Sequence, residues 1–116
     1  MKILIANLSS GKGTWGHVSR LIQDGNFDKV LLVTNQFGQD TFKKDDKSEF
    51  ILIEQNGSVN EICDLLVPIF KSLDGDIKLN LISGTGKEHM AILHSLNLVK
   101  KDYTFTALTK EGVTEF

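Results

Sequence analysis

Short apolar runs alternate with segments of helical spacing, and this alternation limits the possible folds more than any other feature of the chain. Lys2 to Leu8 reads as a buried strand built on Ile3, Leu4, Ile5 and Ala6. The glycine-rich loop Ser9-Ser10-Gly11-Lys12-Gly13-Thr14 follows, with Thr14 placed to cap a helix that carries Trp15, Val18, Leu21 and Ile22. Gly25-Asn26 ends that helix. Val30 to Thr34 is mostly apolar, as in a strand covered on both faces. Phe37 to Lys43 reads as a short helix, Asp45-Asp46-Lys47 as a solvated connection and Phe50 to Ile53 as a third strand. Ser58-Val59-Asn60-Glu61 has the form of a capping box. It opens a helix with Ile62, Leu65, Leu66, Ile69 and Phe70 inward, and Pro68 predicts a kink or an early end. After the turn Asp74-Gly75-Asp76, Ile77 to Ile82 forms a fourth strand. Thr85 to Asn97 forms the next helix, where Thr85 and Glu88 repeat the capping-box form. Tyr103 to Leu108, the turn Lys110-Glu111-Gly112 and Val113 to Phe116 read as a terminal antiparallel hairpin.

The expected class is therefore α/β, with a Rossmann-like, mostly parallel sheet closed by a C-terminal antiparallel hairpin. The 116 residues suffice for one domain, spanning 1–116, and not for two. Right-handed crossovers favour the strand order 3-2-1-4-5-6. In that order the strands followed by the two glycine-rich turns are neighbours across the switch point, where such sheets bind ligands. The second turn, Ser83-Gly84-Thr85-Gly86-Lys87, then faces the same crevice as Ser9 to Thr14.

A net charge of -2 argues against a broad electrostatic grip on long DNA or RNA. A small anion held in one local site remains compatible with it. Cys63 is the single cysteine, which excludes a disulfide framework and a multi-cysteine zinc site. Its apolar surroundings make it a core residue rather than a nucleophile. No apolar run approaches the roughly 20 residues of a membrane span, and Met1-Lys2 leads straight into a strand pattern. A cytoplasmic protein without membrane partners is expected.

The two loops bring Lys12 and Lys87, hydroxyls from Ser9, Ser10, Thr14 and Ser83, and two helix N-termini. Amides and hydroxyls donate to phosphate oxygens, and lysines supply point charges. The ligand-contacting set is thus expected to draw on Gly11, Lys12 and Thr14 from the first loop. The second loop would add Ser83, Gly84, Thr85, Gly86, Glu88 and His89. Gly11-Lys12-Gly13-Thr14 is not a P-loop, because Ala6 stands where the first glycine belongs and Lys12 is followed by glycine. Gly11, Gly13 and Gly16 do fit G-x-G-x-x-G, but the acid expected after the second strand is missing, where the chain reads Thr34-Asn35. His17, His89 and His94 lie on two helices without a carboxylate cluster at ligand spacing, so no metal and no cofactor are expected. His17 and His89, in first turns near the crevice, are the better placed for a ligand contact. Trp15 could stack on a base, but a core or interface role suits it better.

Ser83-Gly84-Thr85-Gly86-Lys87-Glu88-His89-Met90 resembles the glycine-threonine-lysine-methionine signature after strand four of CARF domains, the CRISPR-associated Rossmann fold. The terminal hairpin around Lys110-Glu111-Gly112 is similar to that family's closing strands. Many members have two adjacent glycines before the threonine, where this chain has Ser83-Gly84. The resemblance implies a homodimer that binds a cyclic oligoadenylate across its two-fold axis. It further implies a possible metal-independent ring nuclease, in which Lys87 and a hydroxyl after strand one, Ser9 or Ser10, are functional. Most members carry a second effector domain, for which these 116 residues leave no room, so a stand-alone ring nuclease or ligand sink is expected. A non-catalytic cyclic-oligoadenylate sensor or sink is the alternative. A Rossmann-like protein for a mononucleotide or dinucleotide is a third.

Overall fold

Residues Ile3 to Asn7 are all fully buried because their strand lies at the centre of a sheet covered on both faces. A computed structural model describes residues 1–9 and 12–116. The elements are β1 (Lys2–Asn7), a 3-10 turn (Lys12–Thr14), α1 (Trp15–Asp24), β2 (Lys29–Thr34), α2 (Gln36–Thr41) and β3 (Ser48–Leu52). They continue with α3 (Val59–Lys71), β4 (Asp76–Asn80), α4 (Gly86–Leu98), β5 (Tyr103–Thr109) and β6 (Gly112–Glu115). The six-stranded sheet has the order β3-β2-β1-β4-β5-β6. Every pairing is parallel except β5 with β6. This is the Rossmann-like α/β architecture with the strand order and closing hairpin that the sequence predicts.

Alternation along each strand divides the core in two. On one face Ile3, Ile5, Leu31, Val33, Ile77 and Leu79 pack against α3 and α4 through residues such as Leu66, Phe70 and Ile92. On the other, Leu4, Ala6, Leu8, Val30 and Leu32 meet Trp15, Val18, Leu21 and Ile22 of α1. Cys63 is buried, and its thiol lies 3.4 Å from the Ala91 carbonyl oxygen, so it joins α3 to α4. Among the described residues no helix is long and apolar enough to cross a membrane.

Both predicted capping boxes form, at Ser58 with Glu61 and at Thr85 with Glu88. Several boundaries differ from expectation. The Thr14 side chain makes no capping bond; the 3-10 turn delivers the chain into α1 instead. Helix α2 starts one residue early because Asn35 caps it, accepting from the Gly38 N–H at 3.0 Å. Strand β3 starts at Ser48 rather than Phe50, where pairing with Val30 extends it. Strand β4 stops at Asn80 instead of Ile82, because the Asn80 side chain takes up backbone groups there. Pro68 does not end α3, which runs on to Lys71. Pro68 and Asp64, whose carbonyl loses its helical donor, both lie on the exposed side of α3.

The terminal hairpin is tied to the sheet by a charge that periodicity does not reveal. Lys78, buried in the fourth strand, donates to Glu115 at 2.8 Å and lies 3.3 Å from Asp76. The hydrogen bond to Glu115 raises the Lys78 pKa, so the ammonium stays charged.

Pro68→Ala restores an N–H to an exposed helical position and should stabilise the protein by about 1–3 kcal/mol. Urea unfolding measures this; a lower midpoint would mean that the proline sets the path of α3.

Candidate functional site

At the carboxyl ends of β1 and β4 the chain leaves the sheet in two loops that part from each other. A cleft of about 350 Å³ opens between them, lined by Ser9, Gly13, Thr14, Ile82 and Gly84. The two glycine-rich loops therefore meet at the switch point. Ser10 and Gly11 lie outside the described residues.

Two buried asparagines build the floor. Asn7 ends β1 and donates from Nδ2 to the Val33 carbonyl at 2.9 Å. Gly84 lies over it with φ +102°, and a β-carbon there would collide with the Asn7 carboxamide. Glycine is thus required at residue 84 for both conformation and contact. Asn80 ends β4 and donates from Nδ2 to the Thr106 carbonyl at 2.9 Å, while its Oδ1 accepts from the Ile82 N–H at 3.3 Å. Sequence reasoning missed both residues. Their signal was a polar carboxamide directly after an apolar run, at Ala6-Asn7 and at Leu79-Asn80.

The second loop is rigidly held. The Thr85 N–H donates to Glu88 Oε1 at 2.9 Å, and the Glu88 N–H donates to Thr85 Oγ1 at 3.3 Å. The His89 N–H donates to the Thr85 carbonyl at 3.0 Å. Among the described residues, the first-turn N–H groups of Gly86 and Lys87 have no hydrogen-bond partner. His89 Nε2 donates to the Ser83 carbonyl at 2.8 Å, closing the loop on itself. Glu88 is buried in its capping role, and the Ser83 hydroxyl is buried without a hydrogen-bond partner among the described residues.

Neither predicted lysine lines the cleft. Lys12 Nζ sits 5.6 Å from the centre of the Phe37 ring, toward α2. Lys87 Nζ donates to the Gln55 carbonyl at 2.9 Å, beyond the end of β3. Trp15 is buried, donates from Nε1 to the Ser9 carbonyl at 3.0 Å and packs on Phe37 and Phe42. It anchors the first loop from below. Among the described residues no group of three or more His, Cys, Asp or Glu could hold a metal ion.

His17 joins the helix to the sheet rather than facing the cleft. Its Nε2 accepts from the Leu108 N–H at 3.3 Å and lies 3.2 Å from Asn80 Nδ2. Two donors converging on one nitrogen fix the tautomer with its proton on Nδ1. Burial lowers the His17 pKa, in keeping with a neutral ring. Through Asn80 this histidine also steadies the start of the β4–α4 loop.

The sign of the pH effect follows. His17 binds a proton less readily in the folded chain than in the unfolded one. Its stabilising contribution is complete above the unfolded pKa of about 6.5 and is lost as pH falls below it. His17→Gln should therefore cost more stability at pH 7.5 than at pH 5. Urea midpoints of both proteins at the two pH values test this; an equal or larger gap at pH 5 would contradict the neutral bridge.

No protein-family model matches the chain. No curated protein matches it either. Among solved structures it is similar to Enterococcus italicus Csm6 bound to cyclic hexa-2′-fluoro-hexa-dAMP, with a TM-score of 0.66 and 16% identity. The match covers 95% of this chain, which spans only about a third (34%) of the Csm6 chain. The likeness is one of fold: the chain shares a Rossmann-like α/β architecture with that structure.

Proposed function

We propose that this protein binds a cyclic oligoadenylate as a homodimer and opens the ring slowly without a metal. The observation that carries this reading is the cleft between the β1 and β4 loops, lined by Gly84 two residues before the first turn of α4. It occurs in a fold shared with a protein whose structure holds a cyclic hexanucleotide analogue. Backbone amides and hydroxyls at such a switch point suit a chain of phosphates. A ring with two-fold symmetry would span two such clefts. Ile82 and Met90, 51% and 62% exposed, offer apolar surface beside the second loop for a second copy. The ligand would be met in the cytoplasm.

In the chemistry proposed, a ribose 2′-hydroxyl attacks the adjacent phosphorus in line and gives up its proton to solvent, which returns one to the leaving oxygen. The bond to the 5′-oxygen of the next nucleotide breaks and that oxygen takes up a proton. The products are a linear chain with a 2′,3′-cyclic phosphate at one end and a 5′-hydroxyl at the other. Lys87 needs only to exchange the Gln55 carbonyl for a phosphoryl oxygen, a trade that favours the charged acceptor. It would neutralise charge developing on the phosphorane, with Ser9 or Ser10 donating nearby and the α4 amides assisting. Glu88 is held in its cap and His89 by the Ser83 carbonyl, so positioning and electrostatics would carry the rate. The same two restraints favour binding without cleavage as the second reading.

Incubation with cyclic tetra- or hexa-adenylate, followed by chromatography and mass spectrometry, should yield linear products ending in a 2′,3′-cyclic phosphate. Lys87→Ala should slow cleavage by about 100-fold and weaken binding much less. Tight binding with an intact ring would establish the sensor or sink. Absence of both binding and cleavage would remove the oligoadenylate reading altogether.

A further inference from the structure

One edge of the sheet is left open. Strand β3 is outermost on the side away from the hairpin and pairs only with β2. The Lys47 carbonyl accepts from the Val30 N–H at 3.0 Å, and the Ile53 N–H donates to the Thr34 carbonyl at 2.8 Å. Bonding alternates along a parallel strand, so residues 47, 49, 51 and 53 face β2, and residues 48, 50 and 52 turn their backbone groups outward. The Asp45 carbonyl takes up the Ser48 N–H at 3.3 Å. Phe50 and Leu52 therefore present N–H and C=O groups at the open edge. Sheet edges are commonly guarded by a lysine or a proline. The strand Ser48-Glu49-Phe50-Ile51-Leu52 has neither.

The space beside that edge suits an extended chain. Two adjoining cavities of about 550 and 310 Å³ lie against β3 and α3 and share Leu52 and Leu65. These two leucines are 42% and 41% exposed, and Pro68 and Ile69 continue the apolar wall along α3. The five residues of β3 extend about 17 Å, room for an added strand of equal length. The groove is also acidic. Glu49, Glu54 and Glu61 line it with three carboxylates against the single ammonium of Lys29. Among the described residues none of the three forms a salt bridge. Capping bonds to Ser58 hold the Glu61 carboxyl below the usual carboxylate range, so it stays ionised. Lys87 stands near Glu61 without lining the groove.

We propose that this edge docks an extended segment of a partner protein, which joins the sheet as a seventh strand. The segment's backbone pairs with Phe50 and Leu52. Its central apolar side chains cover Leu65 and Pro68, and a basic residue at one end meets Glu54 and Glu61. The carboxylates select the partner, since they repel acidic strands and attract lysine or arginine. This surface is separate from the cleft between the β1 and β4 loops and does not depend on the oligoadenylate reading.

The peptide Lys-Lys-Val-Thr-Val-Thr-Val-Lys-Lys, labelled at one terminus, tests the docking by fluorescence anisotropy with the full chain. Lysines at both ends serve either strand direction. The peptide should bind saturably, and the version with glutamate for lysine should bind about tenfold more weakly or worse. An added strand bonds through one edge only. Methylating one alternate set of peptide nitrogens should therefore abolish binding, and methylating the other set should spare it. Bound peptide should slow hydrogen exchange at the Phe50 and Leu52 amides. Leu65→Ala, at an exposed position, should weaken binding about fivefold. Failure to bind at millimolar peptide overturns the proposal. Binding that leaves both amides unprotected, or that treats the two methylated peptides alike, overturns it too. Protection that grows with protein concentration and needs no peptide makes the occupant a second copy, which also overturns it. Should Leu65→Ala fail to fold, the methylated peptides decide the matter on the wild-type chain.

Discussion

Two buried carboxamides determine where the central strands stop, and the shape of the cleft depends on them. Asn7 and Asn80 are 0% and 2% exposed at the ends of adjacent strands. Each spends its amide on a neighbouring strand's carbonyl, that of Val33 for Asn7 and that of Thr106 for Asn80. An apolar side chain at residue 80 would take this donor from the Thr106 carbonyl, and an unmet buried group costs about 1–3 kcal/mol, whereas the Val33 carbonyl also accepts from the Leu8 N–H at 2.9 Å. Asn80 also accepts from the Ile82 N–H, bending the chain out of the sheet two residues before the apolar pattern ends. The β4 loop diverges from the sheet because the Asn80 side chain stands in for strand partners.

The two asparagines also link the loops to elements far away in sequence. Gly84 can cross Asn7 only because it has no side chain, so the second loop is seated on the first strand. Asn80 reaches His17 on α1 and Thr106 on β5. Lys78, two residues earlier on the same face of β4, pairs with Glu115 on β6. One face of one strand thus carries the contacts that hold α1, β5 and β6 around the site. That face is polar where the opposite face, Ile77 and Leu79, is wholly apolar. The division follows from coverage: α3 and α4 blanket one side of β4, while the other side meets a helix and a closing hairpin through polar groups.

The fold was legible because hydrophobic periodicity and capping are local. The strand order followed from crossover handedness, and both capping boxes formed where Ser58 and Thr85 announced them. Boundaries failed where a side chain competed with the backbone, as Asn80 does at the end of β4 and Asn35 at the start of α2. Pro68 failed as a stop signal on the exposed side of α3, where both it and Asp64, whose carbonyl it deprives, lie. The meeting of the glycine-rich loops was legible from the switch-point rule. The directions of Lys12 and Lys87 were not. Spacing places a residue on an element, but a four-carbon side chain finds its partner in three dimensions. Those partners, Phe37 and Gln55, come from connections that carry no motif.

The division between fixed and movable groups bears on how such a site would bind a large anion. The backbone donors are pre-set: capping box, Gly84 and the His89 bond fix the start of α4 before any ligand arrives. Pre-set donors lose little entropy when they meet a phosphate. The cations are held differently, one over an aromatic face and one on a neutral carbonyl, both exchangeable for a charged acceptor. A rigid amide cradle with two parked lysines can accept a polyanion in stages, amides first and side chains after.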